Sequence, residues 1–350
     1  MIVRGVCTRL SWERARDSLL TKPEEVLPLI ELADLKTREV RLVEIPLGSR
    51  VRVRAGHASY CTFRKLDGSY CLNMIQKRAG RIPICGRCAL DMPSLRCMLG
   101  EPQCRESEAP KSAKCVKSGL YQTRCTAPRF HYVLVYPESS SSAFLKVGIQ
   151  REATFPTRIL EQAALVSVVY ARTPNVWRGR EVEVLSAAYL EELEGRVLGG
   201  VKVAHASERK KAASRVAQLL SFIRSSATTL DAFFGRPAPS SAEAFASLGR
   251  AVGEFLSRRF EEYSLKAPIV VNDLEVYPYD EELVARAESV SHLTSGVSEV
   301  SGILAGWLGS FMLLARGGGL AVVDFRGFVG RQLELEADEA EVYALDVKRT

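Results

Sequence analysis

The chain has 350 residues, 47% hydrophobic and 25% charged, the composition of a globular protein long enough to bury a core without covalent staples. Early charges at Arg4 and Arg9 leave no signal-peptide core, and the longest uncharged apolar run, Val300–Ala315, is too short and too rich in Gly and Ser for a membrane span, so a soluble, cytoplasmic protein is expected. The net charge of +7 is uneven: from Arg50 to Arg129 there are 16 Lys and Arg against 5 Asp and Glu, a local +11 that leaves −4 elsewhere and points to a polyanionic partner.

In chain order the sequence reads as an α+β protein in five segments. Residues 1–60 form an N-terminal helix/strand region. It is helix-rich at first ("SWERARDSLLTKPEEVLPLIELADL") and then a strand, with Val51, Val53 and Ala55 alternating. Residues 61–126 are rich in cysteine. In residues 127–198, "FHYVLVY" and "AFLKVGI" read as a strand pair, "FPTRILEQAAL" as a short helix, "VSVVYAR" as a third strand, and a helix starts just after Gly179.

Residues 199–265 read as a helical hairpin. Ala212, Val216, Leu219, Leu220 and Ile223 line one helix, and Phe245, Leu248, Val252, Phe255 and Leu256 the other, with Ser240 and Glu243 as a capping box. Residues 266–350 form a mixed α/β, β-rich terminal region, including "APIVVNDLEVYPY" and "GLAVVDFRGFVGRQLELE", whose strands could pack with those of the N-terminus. Arginine outnumbers lysine, 35 to 13, and Asn and Gln are scarce, which suits a protein from a hot environment.

Eight of the nine cysteines fall within 65 residues, and eight is two sets of four. Zinc takes four thiolates in a tetrahedron, and Cys85-Gly86-Arg87-Cys88 is a knuckle that brings two sulfurs to one ion. Two structural zinc ions are expected, one on Cys61, Cys71, Cys85 and Cys88 and the other on Cys97, Cys104, Cys115 and Cys125, although the sets could interleave. Disulfides or buried thiols are the alternatives. The intervening sequence is poor in apolar residues and needs a metal or crosslinks to hold shape. Cys7 stands apart as a core thiol.

The run from Cys85 through Cys125 into "HYVLVY", "LKVGI", "FPTR" and "EQAA" resembles the family termed domain of unknown function 2797 over roughly residues 60 to 190. Members show a cysteine cluster, then His-x-x-Tyr-Leu-Ala, Lys-Val-Gly-Ile-Thr, Pro-Thr-Arg and Gln-Gly-Ala. These match His131 and its strand, Lys146 to Ile149, Pro156 to Arg158, and Gln162 to Ala164.

That family's central module is similar to a GIY-YIG nuclease domain, which implies a strand-strand-helix-strand-helix unit. The resemblance implies Arg158 on phosphate, Glu183 (with Glu181 its rival) on Mg²⁺, and Tyr132 or Tyr136 near the attacking water, with His131 and Lys146 in supporting positions. The first family Tyr is replaced by Leu134, Lys146 takes the place of the second, Gln150 stands for Thr and Ala163 for Gly. The module is therefore expected to be degenerate.

Taken together, a zinc-binding, nucleic-acid-binding protein is expected, with RNA or the ribosome favoured. Arg50, Arg52, Arg54, Arg64, Lys65, Lys77, Arg78, Arg81 and Arg158 would contact phosphate, and Tyr60 and Tyr70 would stack on bases. The alternatives are a metal-dependent endonuclease and a non-enzymatic protein-interaction scaffold.

Overall fold

The computed structural model describes residues 1–14, 26–65, 68–76, 83–91, 94–98, 100–204, 212–227, 241–272, 276–293 and 297–344. The fold is mixed α+β, organised around two sheets.

Strands β1 (Ile2–Arg14), β2 (Val26–Ala33), β3 (Val40–Glu44), β4 (Arg50–Tyr60) and β5 (Met74–Ile75) come from the N-terminal part. Strand β11 (Ser264–Asn272) opens the C-terminal part, followed by β12 (Val290–Leu293), β13 (Glu299–Leu308), β14 (Phe311–Arg316), β15 (Gly319–Asp324), β16 (Arg331–Ala337) and β17 (Glu341–Ala344). The larger sheet orders these as β12-β15-β14-β13-β4-β16-β1-β2-β3-β17, with β5 paired to β4, so both ends of the chain share one sheet. Every pairing in it is antiparallel except β12 with β15.

The described residues of the segment read as helix-rich are strands, while residues 15–25 lie outside them. Its Glu, Arg and Leu content favours helix locally. Pairing of β1 with β16, Val3 opposite Leu335 and Gly5 opposite Leu333, overrides that preference because burial against a sheet outweighs a few tenths of a kcal/mol of propensity per residue. The apolar run Val300–Ala315 is the hairpin β13–β14, closed by Gly309 and Ser310 between the paired Leu308 and Phe311. Gly309 has φ +59°, the left-handed conformation that such a two-residue turn asks for.

The smaller sheet contains β6 (Arg129–Ser139), β7 (Ser142–Arg151), β8 (Val166–Thr173), β9 (Val197–Leu198) and β10 (Val201–Val203), in the order β11-β8-β6-β7-β10-β9. Strand β6 is central and buried on both faces from Arg129 to Pro137, which is why it reads as an almost continuous apolar run. The expected boundary at residues 265/266 falls inside β11, which belongs to this sheet through its pairing with β8.

Eight α-helices complete the described fold: α1 (Gly86–Asp91), α2 (Leu95–Met98), α3 (Ala113–Lys117), α4 (Thr157–Leu160), α5 (Val176–Glu191), α6 (Ala212–Ala227), α7 (Ser241–Arg259) and α8 (Glu281–Arg286). Helix α5 starts at Asn175, whose side chain accepts from the Arg178 amide, so the Thr-Pro-Asn run marks its start four residues before the expected position. Helices α6 and α7 meet through Phe222 and Phe245, with ring centroids 5.4 Å apart. Helix α7 also lies on the smaller sheet: Cβ atoms at Gly249 and Gly253 would come within 3.0 Å of Val168. The capping residue Ser240 lies outside the described residues.

The larger sheet docks on the C-terminal end of α4. Ser310 donates through both its amide and its hydroxyl to the Glu161 carbonyl, and Tyr277 donates to the Leu160 carbonyl at 3.2 Å. The Leu160 carbonyl also accepts from the Ala163 amide, while the Glu161 carbonyl is taken by Ser310 in the β13–β14 turn of the larger sheet.

Candidate metal centre and polar sheet face

Cys61 follows the end of β4. The chain then loops out and back through a bridge between Arg64 and Tyr70, delivering Cys71, whose amide donates to the Phe63 carbonyl. Cys85 and Cys88 arrive at the start of α1. All four are buried, and their sulfurs lie within 4.8 Å of one another. The Cys71 and Cys85 sulfurs are 3.8 Å apart. Zinc–sulfur bonds of about 2.3 Å in a tetrahedron place sulfurs roughly 3.8 Å apart, whereas a disulfide needs about 2.0 Å.

The quartet therefore fits one metal ion, and none of the nine cysteines is in a disulfide. Burial opposes ionisation at Cys85, but hydrogen bonds from Cys88 and the neighbouring thiols pull it down to about 7, while burial holds Cys61 up at about 11. A divalent cation would take these thiols as thiolates.

Cys97, Cys104, Cys115 and Cys125 line one small pocket with Pro110, Leu120 and Tyr121. Burial, then Cys97, Cys104 and Cys115, hold the Cys125 thiol up at about 11. Among the described residues only the first quartet brings all four sulfurs within reach of one ion. The second segment is seated on α5, where Trp177 donates to the Cys104 carbonyl at 2.8 Å and Asn175 to the Glu106 carboxylate at 2.6 Å. Cys7 is fully buried, and burial raises its thiol far above the usual range.

On one face of the smaller sheet, Tyr132, Leu134 and Tyr136 of β6 stand opposite Gly148, Lys146 and Phe144 of β7. Lys146 donates to the Gln162 side-chain oxygen at 2.6 Å, Gln162 donates to the Tyr132 hydroxyl at 3.3 Å, and Tyr136 donates to the Gln162 carbonyl at 3.3 Å. Gly148 is where the Tyr132 ring lies, since a Cβ there would come within 2.8 Å of it. Ala163, which closes α4, has φ +52°, a conformation that costs a non-glycine residue about 1 kcal/mol.

Arg158 is exposed at this face and makes no hydrogen bond or ion pair among the described residues. Glu183 pairs with Arg180 and also feels Arg158 and Lys146, yet burial dominates and raises its carboxyl. Burial pushes Tyr132 up to about 12, with Arg158 opposing the rise and Glu183 adding to it. Arg158, Lys146, Tyr132 and Glu183 are thus gathered. Glu181 is turned to Arg178 instead.

His131 is not part of this group. Successive strand residues alternate in direction, so its ring points to the opposite face, 2.9 Å from the Thr173 hydroxyl and beside Tyr170. Fully buried, it is held down at about 3 by desolvation and then by Arg129, and it cannot act as a base on the Tyr132 face. Gln162, which links Lys146 to Tyr132, entered the sequence reading only as part of a motif.

The cations expected to contact phosphate from β4 have carboxylate neighbours across the sheet. Arg52 pairs with Glu299 at 2.6 Å, and Arg54 with Glu334 at 2.6 Å and Glu299 at 3.5 Å. These pairs tie β4 to strands remote in sequence, and both arginine side chains remain 43% exposed. The Arg50 amide bonds Asp338. Arg64 donates to the Gly68 carbonyl, and Lys65 lines a separate pocket beside Cys71 and Cys88. Tyr70 is buried with its hydroxyl on Glu31, and Tyr60 packs partly buried beside it. Lys77, Arg78 and Arg81 lie outside the described residues.

No helix among the described residues is long and apolar enough to cross a membrane. Comparison with protein-family models, with curated proteins and with solved structures finds no match to the chain.

Proposed function

We propose that this chain is a zinc-binding protein that binds nucleic acid, RNA in preference to DNA, through the Tyr132–Arg158 face of the smaller sheet. The observation that carries the reading is Arg158, an exposed guanidinium without an ion pair among the described residues, which acts with Lys146 on Glu183 next to the Tyr132–Gln162 hydrogen bonds. A guanidinium and an ammonium together suit a phosphodiester, which takes a bidentate fork from one and a point charge from the other. In this reading the cysteine quartet is structural, because four protein ligands leave no open position for chemistry. The second quartet would take a second zinc on closing around its pocket. The strand-strand-helix-strand-helix order from β6 to α5 fits a GIY-YIG-like module in which Leu134 has replaced a functional Tyr, so the module binds without cleaving. RNA is favoured because no helix-turn-helix is read in the sequence, and small metal-bound modules suit irregular RNA.

Glu183 near Arg158 and Lys146 supports a second reading, a Mg²⁺-dependent endonuclease in which Glu183 would hold the ion. One experiment separates them. Fluorescence anisotropy with labelled single-stranded and hairpin RNA and DNA, over a salt series, should show binding that weakens steeply as salt rises. Arg158→Gln should weaken it at least about ten-fold. Mg²⁺-dependent cleavage abolished by Glu183→Gln would select the endonuclease. Absence of binding to any of these probes at low salt would refute both readings and leave the interaction scaffold.

A further inference from the structure

A second group of arginines lies where the turn at residues 121–125, which carries Cys125 of the second quartet, meets the smaller sheet. Arg129 opens β6 and is only 3% exposed. Helix α5 clamps its stem: a Cβ at Gly179 would lie 3.1 Å from Arg129 Cγ. Its Nη2 donates to the Arg124 carbonyl, and its Nη1 finds no acceptor among the described residues. Buried donors of this kind are nearly always paired, and a charged one left open is costly.

Arg151 sits directly opposite Arg129 in the β6–β7 register, although like charges in facing positions destabilise a sheet. Its Nη1 donates to the Thr123 carbonyl at 3.2 Å, which aims it at the same turn. Arg124 is half-buried between them, and Arg158 and Arg9 stand exposed at the rim. Burial first, and then the neighbouring guanidiniums, weaken the ionisation of Arg151. Nearby carboxylates are engaged elsewhere, Glu152 with Arg172 at 2.8 Å and Glu106 with Asn175 and Arg178.

We propose that Arg124, Arg129 and Arg151 form a cradle for a phosphate group, entered from the side of Arg158. A dianionic phosphate monoester or inorganic phosphate answers the charge excess, and its oxygens match guanidinium forks, including the open Nη1 of Arg129. The cradle does not depend on the nucleic-acid reading, because inorganic phosphate alone probes it.

The test uses full-length, metal-loaded protein, titrated with sodium phosphate against sodium chloride at matched ionic strength and followed by calorimetry and thermal unfolding. Saturable phosphate binding that stabilises the fold is expected, weakened at least about ten-fold in Arg151→Gln and less in Arg151→Lys. Arg129→Gln is buried enough to unfold the chain, so the partly exposed Arg151 carries the test. No saturable response beyond that of chloride, or equal affinity in Arg151→Gln, would overturn the proposal. Competition with one RNA oligonucleotide, with and without a terminal phosphate, names the source. Displacement by the phosphorylated form only assigns a nucleic-acid end, and displacement by neither assigns free phosphate.

Discussion

Replacing Gly148 by Ala should destabilise the protein through Tyr132 alone. The added Cβ would lie 2.8 Å from both the ring Cζ and the hydroxyl oxygen of Tyr132, and 2.9 Å from Cε2. Such distances force a shift, and Tyr132 has little room to make one: it is 1% exposed, and Gln162 holds its hydroxyl at 3.3 Å. Overpacking of this kind costs about 1–3 kcal/mol, and losing the Gln162 hydrogen bond adds about 1 kcal/mol. Together these cost about 2–4 kcal/mol. Opposing them, Ala in a strand interior is favoured over Gly by roughly 0.5–1 kcal/mol. The net loss measured by urea unfolding with metal held constant should be about 1–3.5 kcal/mol. In a Tyr132→Ala background only that opposing term survives, so Gly148→Ala should there be neutral or slightly stabilising. A double-mutant cycle reads the difference as coupling. Coupling below about 0.5 kcal/mol would refute the argument that Gly148 exists to seat the Tyr132 ring.

Three further outcomes follow from the same geometry. The buried His131 is held at about 3, below its unfolded value near 6.5, so the unfolded chain binds more protons as pH falls. The native state should lose about 1.5 kcal/mol between pH 6.5 and pH 5 from this group, a slope that His131→Gln should remove in unfolding measured across that window. Arg54→Gln should lower thermal stability, because Arg54 ties β4 to Glu334 and Glu299, while leaving nucleic-acid affinity within roughly two-fold and the salt slope unchanged by anisotropy. Cys88→Ser should open the first quartet and abolish cooperative unfolding of the cysteine segment, whereas Cys7→Ser should act only as a polar substitution in a fully buried site, read by metal release and denaturation together.

What the sequence revealed depended on how far apart the interacting residues lie. The first cysteine quartet was legible because its ligands fall within 28 residues and include a Cys-x-x-Cys knuckle. The β6–β7 pair was legible from a β-branched and aromatic run flanked by turn residues. The N-terminal strands were hidden, because β1 is paired with β16 more than 300 residues away while the stretch from Ser11 onward reads locally as helix. The same distance hid the fate of Arg52 and Arg54: as a local charge count they read as a basic surface, but their partners Glu299 and Glu334 lie 247 and 280 residues on. Arg129 and Arg151 carried no motif, and only the strand register shows them face to face.

The most direct measurement is metal content by elemental analysis of the purified chain, paired with unfolding before and after chelation. At least one zinc per chain is expected, lost in Cys88→Ser, with chelation unravelling the segment from Cys61 to Cys88. A chain free of metal that keeps Cys61, Cys71, Cys85 and Cys88 buried together and unfolds cooperatively would contradict the structural metal centre.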